Sequence, residues 1–252
     1  MGQRLGQHFL VRKTILESIA RAACPAPGGT VIEIGPGKGA LTTHLLAHAA
    51  RVIAIEIDPV LVLYLTAKFR EEPRLTLIES DVLKADLSGW GTVTVVGNLP
   101  YYITSPIVER VLTLGPLLER AVFLVQKEVA ERMTASAGSR DYGYLSVQTQ
   151  FYSTPELLLG VPPSAFHPPP KVDSAVVRMT PKAAPDSVDA RGFLKFAGLC
   201  FRQKRKTLRN NLLGSYDKAL LEEMPEARLR AEQLGMEGMM DLYERLRALR
   251  AD

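Results

Sequence analysis

Cysteine is almost absent from this 252-residue chain, and its scarcity narrows the chemistry at once. Cys24 and Cys200 lie far apart, and neither has a ligand-like spacing to the other or to the four histidines, His8, His44, His48 and His167. That argues against a disulfide framework and a metal centre; two inert thiols and no metal are expected. No apolar run reaches the ~20 residues that span a bilayer, and the stretch from Met1 to Leu10 lacks the apolar core of a secretory signal. The expectation is a cytoplasmic chain with no membrane contact. There is no internal repeat and no low-complexity tract, and the composition (46% hydrophobic, 23% charged) is that of an ordinary globular protein.

What is present has a clear rhythm. From Thr30 onward, short β-branched runs at 31–34, 52–56, 75–79, 92–96 and 121–125 alternate with amphipathic stretches near 41–49, 59–69 and 106–114. That alternation predicts a parallel, doubly wound α/β sheet. Runs at 154–160 and 174–179 are expected to pair antiparallel at one edge. A small-residue loop at 135–143 precedes a predicted helix at 144–151. Residues 181–189, with two prolines and no apolar period, read as a linker, and everything beyond is helical in pattern, with Phe193, Phe196, Ala197, Cys200 and Phe201 as its core. The boundary is therefore set between a domain of residues 1–181 and a small all-helical domain of residues 182–252.

The most informative stretch is Asn98-Leu99-Pro100-Tyr101, at the end of the apolar run Val93, Val95, Val96. An amide, a proline and an aromatic at a strand's carboxyl end form a holder for a planar amine. The Asn carbonyl and a backbone carbonyl accept from an exocyclic NH2, and the tyrosine stacks on the ring. That is the arrangement expected of an enzyme that alkylates N6 of adenine; taken alone, the same four residues also describe an Asn-Pro turn with a core tyrosine. Upstream, Glu33-Ile34-Gly35-Pro36-Gly37-Lys38-Gly39 joins the first predicted strand to the first helix with the glycines that nucleotide-binding α/β folds use. Glu56 ends the next strand, where a carboxylate grips ribose hydroxyls, and Asp81 follows the third, suiting the adenine amine of S-adenosylmethionine better than NAD. The net charge is only +4, but Arg202, Lys204, Arg205, Lys206 and Arg209 fall within eight residues with no acid among them, which reads as a phosphate-binding patch.

In order along the chain, Gly6-Gln7-His8-Phe9-Leu10, the glycine loop, Glu56, Asp81, Asn98–Tyr101 and the run from Phe166 to Ser174 (Phe-His-Pro-Pro-Pro-Lys-Val-Asp-Ser) resemble the ribosomal RNA adenine N6-dimethyltransferases. The stretch 205–212 (Arg-Lys-Thr-Leu-Arg-Asn-Asn-Leu) resembles the helical-domain signature of that family's bacterial small-subunit branch. The resemblance implies a Rossmann-like S-adenosylmethionine-dependent methyltransferase domain with a small helical domain that binds RNA. It implies S-adenosylmethionine contacts from His8, Leu10, Gly35, Gly37, Glu56, Asp81 and Asn98, where the family usually has Asn in place of His8. Asn98, Pro100, Tyr101 and Phe166 would hold the target base, Phe166 on its second face. Arg202, Lys204, Arg205, Lys206 and Arg209 would hold RNA. The implied reaction is dimethylation of two adjacent adenosines in the 3′-terminal hairpin of 16S rRNA, with a role in small-subunit biogenesis. The partner would be the small ribosomal subunit, not DNA, and a monomer is expected. The competing readings are a large-subunit methyltransferase of the macrolide-resistance type and a non-catalytic assembly factor.

Overall fold

A computed structural model describes residues 8–100, 103–183 and 188–251. The chain forms two compact units, one from residues up to 130 together with 153–181, the other from 131–152 together with 182–252.

The first unit runs β1 (Phe9–Leu10), α1 (Lys13–Ala23), β2 (Thr30–Ile34), α2 (Ala40–Leu45), β3 (Arg51–Glu56), α3 (Pro59–Lys68), β4 (Leu75–Glu79), β5 (Val93–Asn98), α4 (Thr104–Leu112) and β6 (Leu118–Gln126). A helix that crosses the unit boundary, α5 (Lys127–Thr134), and the second unit's α6 (Tyr144–Tyr152) follow, before the chain returns as β7 (Ser153–Val161), β8 (Phe166–His167) and β9 (Ser174–Pro181). Seven strands form one sheet in the order β4-β3-β2-β5-β6-β9-β7. The first five are mutually parallel, and β9 pairs antiparallel with both β6 and β7. The expected antiparallel edge pair is therefore present, with β9 lying inside β7.

Strands β2, β3 and β5 are apolar almost without interruption because both faces are covered; Val31, Ile32, Val52, Ile53, Ala54, Val95 and Val96 are all buried. From β2 the chain moves outward through β3 to β4, then crosses to β5 on the other side of β2, so the strand order reverses between β2 and β5. A reversal of this kind opens a crevice at the carboxyl ends of the two strands. Gly97 allows the strands to approach there: a Cβ at that position would lie 2.6 Å from the Ile34 carbonyl oxygen.

Helix α1 lies outside the strands and helices expected from the pattern. Its buried face, Ile15, Leu16, Ile19, Ala20 and Ala23, recurs at helical spacing and joins the same core as Leu41, Leu45 and Val96. A polar cluster fastens α1 to the chain around α2. The Glu17 carboxylate receives Arg21 Nε at 2.7 Å and lies 3.0 Å from His44 Nδ1 and 3.2 Å from His48 Nε2. The His44 and Arg21 contacts hold the Glu17 carboxyl well below the usual range, at about 2.

The second unit adds α7 (Ala190–Cys200), α8 (Leu208–Leu212), α9 (Lys218–Glu222) and α10 (Ala231–Ala251), the last interrupted at Gly235. Asp189 caps α7, accepting from the Gly192 N–H at 3.2 Å, and its other carboxylate oxygen accepts from the Tyr243 hydroxyl at 3.3 Å. The expected core residues Phe193, Phe196, Ala197 and Cys200 are buried, and Phe201 is partly buried against them. The units change at Pro181/Lys182, and the helical unit also takes in residues 131–152, which were expected in the first domain. Tyr142, Val147 and Phe151, from the 131–152 segment, belong to this helical core, with the Phe151 ring 5.1 Å from that of Phe193. Part of the expected linker, 184–187, lies outside the described residues.

Two acids of the first unit are buried, Glu33 and Glu56, and the first is the more enclosed. Glu33 on β2 is 1% exposed and accepts from the Thr42 hydroxyl of α2 at 2.6 Å. Burial pushes its carboxyl up to about 7, although the Thr42 bond favours the anion. Between about pH 4.5 and pH 7 the folded chain therefore binds a proton that the unfolded chain has released, so this group's stabilisation is complete at low pH and is lost as pH rises through 7. Urea unfolding at pH 4.5 and pH 7.5 should show the wild type losing on the order of 3 kcal/mol more than Glu33→Gln across that interval. Equal losses would mean that the buried carboxyl is ionised throughout.

Candidate active site

The crevice at the strand reversal is a cavity of about 460 Å³. Four consecutive strand ends line it: the glycine loop after β2, Glu56 and Ile57 after β3, Ser80 to Val82 after β4, and Asn98 to Pro100 after β5. Residues 8–11 also line it. All of the expected cofactor residues, His8, Leu10, Gly35, Gly37, Glu56, Asp81 and Asn98, are brought together here.

The loop turns on positive φ, +64° at Gly35 and +57° at Gly37, a region that side chains rarely adopt. The space before Gly35 is open, since a Cβ there would meet nothing within 4 Å; one on Gly37 would strike the Phe9 ring at 2.9 Å. Phe9 in turn lies under the Lys38 ammonium, 5.0 Å from the ring centre.

Glu56 is buried and bound from three sides by backbone. Gly37 N–H donates to Oε2 at 3.1 Å, and the N–H groups of Ile57 and Asp58 donate to Oε1 at 2.9 and 3.0 Å. Burial raises its pKa despite those bonds. A carboxylate has about four lone-pair sites, so these three bonds leave one, on Oε2, for a ligand hydroxyl. Asp81 is half-buried and its Oδ1 accepts from Leu83 N–H at 2.9 Å, which fixes the turn after β4.

Asn98 is oriented from a distance. Its Nδ2 donates to the His8 carbonyl at 3.0 Å, which commits the donor end of the amide and leaves the Oδ1 end as the acceptor for a ligand. His8 is itself anchored by its Nδ1, 2.8 Å from the Pro168 carbonyl; a carbonyl can only accept, so Nδ1 carries the proton. The two-strand pairing of Phe9 with His167 and Leu10 with Phe166, and the donation from Val11 N–H to the Ala165 carbonyl at 2.9 Å, complete the clamp. An imidazole thus supplies a donor where the family usually has an Asn amide.

Two expectations about the target-base residues change, and a third falls outside the described residues. The Pro100 carbonyl already accepts from Ile103 N–H at 3.2 Å and from Thr104 Oγ1 at 3.1 Å, so it helps start α4 and is occupied. Phe166 is 4% exposed, packs in the apolar core and does not line the cavity, because its pairing with Leu10 turns the ring inward. Tyr101 lies outside the described residues. Conversely, Glu33, named from sequence only as the start of the glycine-loop motif, also lines the cavity. The signal was available: an acid inside a Val-Ile-Glu-Ile strand has no reason to be there unless it is bonded.

In the second unit, Arg202, Lys204, Arg205 and Lys206 are exposed on the turn between α7 and α8. Lys204 Nζ donates to the Arg140 carbonyl. Arg209 differs from the other cations: it is half-buried and paired with Glu222 at 2.8 Å, an acid contributed by α9 and out of reach of a local sequence reading. Asn211 shapes the turn, accepting from Gln203 N–H at 3.0 Å while its Nδ2 donates to the carbonyls of Cys200 at 2.7 Å and Gln203 at 3.1 Å.

A family profile described as ribosomal RNA adenine dimethylase matches residues 2–247. The ribosomal RNA small subunit methyltransferase A of Acidobacterium capsulatum is 44% identical over 255 residues, covering 96% of this chain and 90% of that one. The protein of the same name from Chlorobaculum parvum is 43% identical over 249 residues, covering 97% and 89%. Among solved structures, a dimethyladenosine transferase from Plasmodium falciparum superposes with a TM-score of 0.82 at 26% identity, over 96% of this chain and 98% of that one. The 23S rRNA methyltransferase ErmE superposes with a TM-score of 0.70 at 30% identity, over 95% and 99%. The sheet of the first unit is thus that of the S-adenosylmethionine-dependent methyltransferases, and the chain belongs to the ribosomal RNA adenine dimethylase family.

Proposed function

We propose that this chain transfers methyl groups from S-adenosylmethionine to N6 of two adjacent adenosines in the 3′-terminal hairpin of 16S rRNA, giving N6,N6-dimethyladenosine during small-subunit biogenesis in the cytoplasm. The observation that carries the reading is the Asn98 amide, held at the strand reversal with its Nδ2 turned to the His8 carbonyl. An acceptor fixed at that edge suits an exocyclic amine. The choice of subunit is supported by relatives at 44% and 43% identity, named for the small subunit, against 30% for the large-subunit enzyme ErmE.

The lining fits the methyl donor. The open space at Gly35 admits a ligand close to backbone, Glu56 and Asp81 offer acceptors for hydroxyl and amine groups, and Ile57 offers an apolar surface for a base. S-adenosylmethionine supplies the electrophilic methyl group when bound. The protein's task is then to position a poor nucleophile, because the N6 lone pair is delocalised into the ring. Asn98 Oδ1 accepts one N6–H. The second acceptor is assigned to the Leu99 carbonyl, since Pro100 is occupied by α4. Two acceptors draw the nitrogen toward a tetrahedral geometry and aim its lone pair for in-line displacement. Extruding the base costs a few kcal/mol, and stacking on Tyr101, worth about 1–3 kcal/mol, offsets that cost. Phe166 has no role here while it stays in the core. The exposed cations Arg202, Lys204, Arg205 and Lys206 hold RNA phosphates, with Arg209 as a brace to α9.

Asn98→Ala should lower turnover at least about 100-fold while calorimetry shows S-adenosylmethionine affinity largely retained; wild-type turnover removes Asn98 from the mechanism. Reversing Arg205 and Lys206 to Glu should weaken binding to small subunits and reduce the log–log salt slope by about 0.7–0.9 per lost phosphate contact. An unchanged slope returns the cluster to ordinary surface. The reaction itself is tested with labelled S-adenosylmethionine and small subunits that lack the modification, mapping label by primer-extension stops. Label in adjacent adenosines of the 3′ hairpin is the expected result. Label confined to large-subunit RNA would favour the resistance-type enzyme, and tight binding without label would favour the assembly factor.

A further inference from the structure

The second unit has a cavity of its own, of about 420 Å³, that the methyl transfer does not use. It opens between α7, the turn joining α8 to α9, and α10. Phe196 and Tyr243, both buried, form its floor. Tyr216 is half-buried beside them, its ring edge-on to Phe196 with 6.0 Å between centres and 88° between planes. Lys195, Leu199 and Ser215 also line the opening.

The charge around this cavity is one-sided. Between Asp189 and Asp217 the chain carries seven cations and no acid. Arg191, Lys195 and Leu199 recur at i, i+4 and i+8 on one face of α7. The exposed Arg202 follows within one turn and leads into the basic turn at 204–206. Arg191, Lys195 and Arg202 have no ion-pair partner among the described residues. The nearby acids, by contrast, are engaged. Asp189 accepts from Gly192 N–H and the Tyr243 hydroxyl, and Asp217 accepts from Ala219 N–H at 2.7 Å. Glu244 lies 3.5 Å from Arg247.

We infer that this cavity receives an unstacked nucleobase of the RNA partner, laid against Tyr216, while the cations of α7 hold the phosphates on either side. The inference rests on the reading of the chain as a ribosomal RNA enzyme. Single-stranded RNA offers splayed bases, and an aromatic side chain beside a cationic track is how such bases are held. The volume lies within the ~300–1,000 Å³ of small-ligand sites, which accommodates a base and its sugar. The Tyr243 hydroxyl gives its proton to Asp189, so its oxygen is left to accept from a base edge. An apolar peptide side chain would cover the floor but leave the α7 cations without counter-charge. A nucleotide supplies both a planar ring and an anion.

The test measures binding of the full chain to small subunits that lack the modification, at several salt concentrations. Tyr216→Ser should weaken binding about 5- to 150-fold, the range for loss of one base stack. Its circular dichroism spectrum and its log–log salt slope should stay those of the wild type. The slope is decisive because a stacked base releases no counterions, unlike the phosphate contacts of the basic turn. Tyr216→Phe, which keeps the ring, should bind like the wild type. Photoreactive p-benzoylphenylalanine in place of Lys195 should cross-link to 16S rRNA in the complex, and this readout stands if Tyr216→Ser fails to fold. Wild-type affinity in Tyr216→Ser, or a slope that falls with the affinity, overturns the inference. Cross-linking to a ribosomal protein alone overturns it too, by making the cavity a protein-docking site. A wild-type chain that binds no small subunits overturns the proposed function first, and this inference with it.

Discussion

The pairing of β2 with β3 on one side and β5 on the other is the constraint on which the site depends. Buried parallel strands need their backbone groups satisfied along the ladder, yet the loops leaving their carboxyl ends must diverge where the strand order reverses. The crevice follows from that topology rather than from any one residue. Gly97 keeps β5 close to β2 at the level of Ile34, and the glycines after β2 turn the chain away. The result is a line of acceptors, Glu56, Asp81 and Asn98, spread along one edge of a rigid sheet. Each is fixed by backbone contacts, as precise positioning requires.

A second constraint is long-range. Asn98, His8 and Pro168 come from three distant parts of the chain, and two hydrogen bonds join them. Such bonds contribute only about 1 kcal/mol each to net stability. Their importance is directional: the amide of Asn98 has a donor end and an acceptor end, and the His8 carbonyl selects which of them remains for a ligand. The Leu10 and Phe166 pairing that supports this clamp is also what takes the Phe166 ring into the core. Holding one residue for chemistry here withdraws another.

Much of the sheet was legible because β-branched runs of five or six residues, separated by helical periods, have few alternative folds. That these residues would line one cavity was legible for a related reason: in such a sheet, residues after successive strands must share one edge. What escaped was short or distant. Strands of two residues, β1 and β8, have no period to read. The occupancy of the Pro100 carbonyl depends on how α4 begins, which the four-residue motif does not carry. Arg209 was read among neighbouring cations, while its acid, Glu222, comes from a different helix. Helix α1 had a readable stripe, but it preceded the first clear strand and its partner surface, α2 and the sheet, could not be inferred locally.

The second unit is built from two separate stretches of chain, and this has a consequence during synthesis. Tyr142, Val147 and Phe151 leave the ribosome that made them well before Phe193, Leu242 and Leu246, with which they share a core. In the interval β7 and β9 can join the sheet, while the apolar face of α6 waits uncovered. The helical unit is therefore the last to close, however early its first helix is made. The same interleaving means that the sheet cannot be released by cutting at Pro181, because the cut would leave α6 attached to it with half a core.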